Sequence, residues 1–397
     1  MVAAAVSSSL MPVRAGTGLS TLPDPYAGAE EAAAAARAGL DGGGCDLAVL
    51  FASGTHLAAP ETTLAAVQEV LAPGQLIGCG AAGVLAGGQE IEEGTGVAVW
   101  AASLGEGSAG AFHATVEPLE DEGGGELTGM PDLDGAAGVV LLADPYTFPI
   151  QGFVEQSADV LGGLPLVGGL ASGPGGAGGT RLFLDGVVHE RGVVGVTIGG
   201  DVRVRTLVSQ GCRPIGPTMT VTAAEGPHLK GLAGTPAYTK LEEIVRGLEE
   251  ADQQMVARGL HLGIAMNEYA DDHRQGDFLI RGVVGADPEQ GSITVGDVVE
   301  VGRTVRFQVR DASSADADLD WLMSRFRGEG ATAGALLFSC NGRGRAMFPD
   351  ADHDVDAVRR GLGPEGVAGF FAAGEIGPVA SRNHLHAFTA SVLAFGD

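Results

Sequence analysis

The sequence predicts an α/β protein made of duplicated strand, helix, strand, Gly turn, strand units, with mixed sheets and helices packed outside them. Three observations point there. The same order of elements occurs three times along the chain. Its apolar runs, such as Leu47-Ala48-Val49-Leu50-Phe51-Ala52, have the length and composition of buried strands. And 66 glycines beside 5% aromatic residues require many tight turns and close backbone approaches.

The elements follow in order. Residues 1–39 are a lead-in and first helix, with 14–25 read as flexible. The first unit opens with the strand at 47–52. A helix at 61–71 follows, with Leu64, Val67 and Leu71 at helical spacing, and Pro73-Gly74 stops it. A strand at 75–77 runs into a Gly turn at 78–83, and 96–104 closes the unit. Residues 117–134 are acidic, Gly-rich and aperiodic, which reads as a surface loop.

The second unit has a strand at 138–143, a helix at 150–161, a strand at 164–167 and a Gly turn at 168–173. Strands at 181–184 and 192–198 follow, joined by Asp185-Gly186. A weaker fourth unit is expected over 202–310, with strands at 261–266, 278–284 and 304–309 behind a helix at 238–258. A helix at 316–327 leads to the last unit. That unit has a strand at 334–339, a helix at 352–362, a strand at 367–371, a turn through Gly374-Glu375 and a closing strand at 383–395. The domain division expected is 40–230 and 231–397.

The length of 397 residues allows two or three domains with full cores. The formal charge of −27, from 23 basic and 50 acidic residues, makes nucleic acid and anionic membrane surfaces poor partners. No apolar run reaches the roughly 18 residues of a membrane span. Cys45, Cys79, Cys212 and Cys340 are far apart with no CxxC pair, which fits a reducing cytoplasm.

Several motifs fail their own tests. Gly78-Cys79-Gly80-Ala81-Ala82-Gly83 is a literal GxGxxG after a strand, but no helix begins inside it to hold a pyrophosphate. Asp352-His353-Asp354-Val355-Asp356 imitates a calcium loop, with Ala357 where glycine is needed and Gly363 where a glutamate is needed. Those acids instead suit the positive end of a helix dipole. His384 and His386 share one strand face but lack further ligands at metal spacing, so no metal or cofactor is expected.

The candidate ligand site lies in two turns. One is Cys340-Asn341-Gly342-Arg343-Gly344, where a guanidinium among glycines suits a carboxylate or phosphate. The other holds Gly374, Glu375 and Gly377, with His386 downstream. Glu375 there suits an amine, or pairs with Arg343. Together Arg343 and Glu375 suit the two ends of a zwitterion such as an amino acid. Gly78, Cys79 and Gly80 form the comparable turn of the first unit. The alternative is an acyl-transfer or hydrolytic enzyme with Cys340 as nucleophile, His386 as base and turn N–H groups as an oxyanion hole.

The segments GFFAAGEIGPV, LLFSCNGRG and LHAFTASV resemble the C-terminal half of FIST-domain proteins. LIGCGAAGVLAGGQEIEEG, LVGGLASG with RLFLDGVV, and VSQGCRPIGPTMTVT resemble the N-terminal half. The resemblance covers roughly residues 40–395. It implies a sensory or signal-input protein that binds a small molecule, amino acids having been proposed, and here one signalling through a separate partner. Cys340 to Gly344 match one family motif, and Gly374, Glu375, Gly377 and His386 the other. The resemblance carries no established catalytic chemistry.

Overall fold

The computed structural model describes residues 12–118, 125–270, 272–363 and 366–396. The class is the expected one: mixed sheets with helices packed largely around them. The N-terminal residues and part of the acidic 117–134 stretch lie outside the described residues.

Three sheets repeat one plan. The first uses Arg14–Ser20, Leu47–Ser53, Gln75–Gly80 and Gly96–Ser103. The second uses Gly107–Pro118, Ala136–Ala143, Leu166–Leu170 and Val193–Gly200. The third uses Arg203–Gln210, Gly334–Cys340, Val367–Ala372 and Thr389–Gly396. In each, the opening strand pairs with the closing strand, which pairs with the next strand, which pairs in parallel with its successor. The parallel pair encloses a crossover helix: Pro60–Leu71, Ile150–Val160 or His353–Leu362.

Each unit then sends a hairpin to a different sheet. Val84–Ala86 and Gln89–Ile91 of the first unit extend the third sheet, through Val367–Ala372. Leu182–Leu184 and Val187–His189 of the second extend the first sheet, through Gln75–Gly80. Glu375–Val379 and Arg382–His386 of the third extend the second sheet, through Leu166–Leu170. The exchange is cyclic.

Alternate residues of the central strands face two cores. Val49, Phe51, Val140, Leu142, Leu336, Phe338 and Phe370 meet in one shared centre, where Phe51 stacks on Phe370 at 5.0 Å. Leu50 and Ala52 point the other way, under Ala29, Ala32, Leu64 and Val67 of the outer helices. Burial on both faces is why these strands read as unbroken apolar runs.

The structure corrects several expectations. Residues 14–20 are an edge strand, not a flexible lead-in. Residues 125–128 pair with Gly107–Pro118 rather than forming loop. Asp185-Gly186 closes a hairpin with Val187–His189, not with the strand from residue 193. The closing strand of the last unit is two strands, broken at Phe388.

The first glycine of each expected Gly turn lies in a strand, and the turn begins only after it. Gly78, Gly168 and Gly369 sit in strands, in register with Leu50, Leu141 and Leu337 of the parallel neighbour. A Cβ at these glycines falls 2.1, 1.9 and 1.6 Å from the carbonyl oxygens of those leucines. Close strand approach is what the repeat preserves.

The region 202–310 is not a fourth copy either. Between Cys212 and Arg310 the chain forms an antiparallel sheet closed on itself, since Thr304–Arg310 pairs with Leu260–Ala265 on one side and Met219–Glu225 on the other. Leu262, Ile264, Val305 and Phe307 fill its interior. The expected helix at 238–258 is two, Ala237–Arg246 and Glu250–Arg258.

Candidate functional site

The first strand of each parallel pair leads into a turn carrying a buried polar side chain. In the first unit this is His56, whose Nδ1 meets Thr63 Oγ1 at 3.2 Å and whose Nε2 meets the Leu22 carbonyl at 3.1 Å. In the second it is Asp144, which accepts from Thr180 Oγ1 at 2.7 Å, from Thr147 Oγ1 at 2.5 Å and from Tyr146 N at 3.3 Å. In the third it is Arg343, placed by a tight turn in which its N–H donates to the Cys340 carbonyl at 2.8 Å.

Arg343 has lost its water entirely and pairs with Asp354, Nε to Oδ2 at 2.6 Å and Nη2 to Oδ1 at 2.7 Å. Ser339 Oγ donates to Oδ2 at 2.7 Å, and His353 Nδ1 meets Oδ1 at 2.9 Å. Burial alone would raise the Asp354 carboxyl, but the Arg343 charge and these bonds hold it well below the usual carboxylate range. His353, although burial disfavours its charge, is raised by Asp354 and Asp316. The remaining nitrogen, Arg343 Nη1, has no hydrogen-bond partner.

The expected pairing of Arg343 with Glu375 is therefore replaced. Asp354 holds the guanidinium, and Glu375 is not within ion-pair distance. Glu375 is buried, and its Oε2 accepts from Thr389 N at 3.1 Å and Oγ1 at 2.8 Å. Its Oε1 has no hydrogen bond of proper geometry, although the Cys340 thiol is a close neighbour. Burial pushes its carboxyl up to about 8, partly offset by Thr389. Arg343 and Glu375 do feel each other's charge.

The other expected residues divide. Cys340 lies beside Glu375, and burial together with that carboxyl pushes its thiol far above its ordinary value, the opposite of activation. Gly342 and Gly344 shape the turn, whereas Asn341 is exposed. Gly374 and Gly377 accept, through their carbonyls, from Leu170 N and from His386 Nε2 at 3.0 Å. His386 is opposite Glu375 in the hairpin, and burial keeps its ring neutral down to about 3. Gly78, Cys79 and Gly80 lie in a buried strand whose neighbours are Leu47–Ser53 and Leu182–Leu184, away from this turn.

The site touches two other parts of the chain. Arg345 N donates to both Glu92 oxygens at 2.9 and 3.0 Å, and Val355 N to Glu90 Oε1 at 2.9 Å, so the first unit's hairpin holds both the Arg343 turn and the start of the helix that carries Asp354. On the barrel side a cleft of about 270 Å³ is lined by Met255, Arg258, Arg310, Asp311 and Met347. Met347 and Arg343 Nη1 both flank Gly211.

The family model for the FIST N domain matches residues 46–235, and the model for the FIST C domain matches 237–378. This chain belongs to the FIST family. FIST domains are generally regarded as sensory, signal-transduction domains. Two uncharacterized proteins of Mycobacterium tuberculosis, Rv0628c among them, are 47% identical over 388 residues, 97% of this FIST chain and 100% of theirs. An uncharacterized protein of Mycobacterium bovis, Mb0898c, is 45% identical over 97% of this chain and 99% of its own. Among the described residues of this FIST protein, no helix is long and apolar enough to cross a membrane.

Proposed function

We propose that this protein is a small-molecule sensor whose ligand binds at the Arg343 turn, where the third unit meets the barrel, and whose signal is read by a separate partner in the cytoplasm. The observation that supports it is the pair of unpartnered, buried polar atoms Arg343 Nη1 and Glu375 Oε1. An unsatisfied buried group costs about 1–3 kcal/mol. The equivalent polar groups of the other two units, His56 and Asp144, are closed by their own bonds. Of the three equivalent groups, among the described residues, only Arg343 has a buried nitrogen without a hydrogen bond.

The chemistry suits a small carboxylate or amino acid. A carboxylate oxygen accepts from Arg343 Nη1, and an ammonium or hydroxyl donates to Glu375 Oε1. The cleft beside Met347 offers the approach. Because Glu92 holds the Arg343 turn and Glu90 holds the start of the helix that carries Asp354, a ligand that favours one arrangement of the turn shifts the first unit's hairpin too. The enzyme alternative draws no support from the geometry, since the Cys340 thiol is raised and His386 Nε2 is held by Gly377.

Thermal unfolding of the purified protein against amino acids and small carboxylates tests this reading. A ligand of the folded state stabilises it by about 2.7 kcal/mol at a hundred times its dissociation constant. The shift should vanish in Glu375→Gln and Arg343→Lys. A panel that leaves the melting temperature unchanged would sink the proposal.

A further inference from the structure

Among the described residues, five buried side-chain polar atoms lack a hydrogen-bond partner. Glu90 Oε2 is one. The other four are Arg343 Nη1 and Glu375 Oε1 of the third unit, and His261 Nδ1 and Gln308 Nε2 of the barrel. These last two are directly opposed on paired strands, so they share a face. That face is the barrel's outside, because the alternate residues Leu260, Leu262, Phe307 and Val309 belong to its interior cluster.

One ring stands between the two pairs. Phe388 meets the His261 ring edge-on at 4.4 Å, and packs with Cys212, Ala265, Phe278 and Ile280 on the barrel's outer face. On its other side it crowds Gly342, where a Cβ would come within 2.8 Å of the ring. The Arg310 guanidinium lies 5.6 Å from it. Phe388 has φ +61, a left-handed conformation that a bulky side chain adopts only under constraint. The next residue is Thr389, which holds Glu375.

Resting on the reading of the Arg343 turn given above, we propose that His261 and Gln308 form the second half of the ligand site, and that the ligand displaces the Phe388 ring lying between the halves. This gives the ligand class. One end is a carboxylate for Arg343. The other carries an amide or hydroxyl, whose oxygen accepts from Gln308 Nε2 and whose hydrogen or lone pair serves His261 Nδ1. A site at the seam of two folding units, lined by a few convergent polar groups, is the common setting for small-molecule recognition. Movement of Phe388 pulls on Thr389 and so on Glu375, which links the two halves.

The test has two arms on the full chain. Without ligand, Gln308→Leu and His261→Phe each remove a buried, unused polar atom, and each should raise the melting temperature by about 2 °C or more. A fall in both would show that the two side chains serve the fold, and would overturn the proposal. With ligand, calorimetric binding of L-glutamine and L-serine is compared with that of L-alanine and acetate. The first pair should bind at least about tenfold tighter, and Gln308→Leu should abolish that preference. Equal binding of all four compounds, unaffected by Gln308→Leu, overturns this inference and leaves the Arg343 reading standing. No binding by any compound overturns both.

Discussion

Arg343 and Asp354 hold each other through two bonds, of 2.6 and 2.7 Å, with neither side chain reaching solvent. Removing either partner strands the other's charge in the interior. Asp354→Asn should therefore lower stability by about 3–5 kcal/mol, measured by urea unfolding. The double change Arg343→Met with Asp354→Leu should recover most of that loss. A single variant as stable as the parent would mean the pair is hydrated in solution.

Stability should peak near pH 6.5. His261, His384 and His386 stay neutral when folded, down to about 4, 4 and 3, against an ordinary 6.5. Folded stability from them is present above 6.5 and is lost as pH falls through that window. Glu90 and Glu375 are raised to about 7 and about 8 from an ordinary 4.5, so their contribution is present below 4.5 and lost as pH rises towards 8. Between about 4.5 and 6.5 the unfolded chain holds one more proton from these five groups, and stability climbs. Above 6.5 the two glutamates and the raised His353 hold their protons more tightly when folded, and stability falls. Urea midpoints at pH 5, 6.5 and 8 check this, and Glu375→Gln should flatten the alkaline side. A midpoint still rising at pH 8 contradicts the assignment.

Substituting alanine at Gly78, Gly168 or Gly369 places a methyl group inside the contact distance of a neighbouring carbonyl oxygen. Each variant should lose at least about 3 kcal/mol or fail to accumulate as folded protein, since the obstacle is backbone. Gly42, which has open space around it but φ +82, should cost far less on the same change. Melting temperatures of the four variants rank the sites. Indistinguishable values would argue that the parallel strands can move apart.

Much of this architecture is legible in the chain because burial and period leave local marks. The runs at Leu47–Ser53, Ala136–Ala143 and Gly334–Cys340, each followed by a helix, identify the three units. The partner of a strand leaves no such mark. Nothing near Val84 tells that it lies beside Phe370, or near Gly168 that it lies beside Ile376. Glycine serves a turn and a close strand approach equally, and only the position of an absent Cβ tells them apart. Asp354 was readable in retrospect: it interrupts the buried stripe Val355, Ala357, Val358 and Gly361 of its helix. The proposed second half of the site leaves no local mark, since His261 and Gln308 belong to the inserted barrel, far in sequence from Gly342 and Arg343, and Phe388 lies between His261 and Gly342.

The thiols give a simple check of burial. Cys45, Cys79, Cys212 and Cys340 are all buried, and burial raises each, to about 11 for Cys45 and about 12 for Cys212. A thiol reagent at pH 8 should label none of them within minutes in the native protein and all four in urea. Rapid labelling of Cys340 alone would revive a nucleophilic role for it.

The cyclic exchange of hairpins bears on how the chain can be made. As synthesis proceeds, the second unit emerges before the strand that covers its edge at Leu166–Leu170, because that strand, Glu375–Val379, belongs to the third unit. The first unit's Val84–Ala86 must likewise wait for Val367–Ala372. Until Val367–Val379 has been made these strands lack their partners, and the closing contacts join residues separated by hundreds of positions. Such wiring favours a slow final step. It also turns the third unit into the latch of the whole body, so whatever binds at its Arg343 turn acts on the piece that completes the assembly.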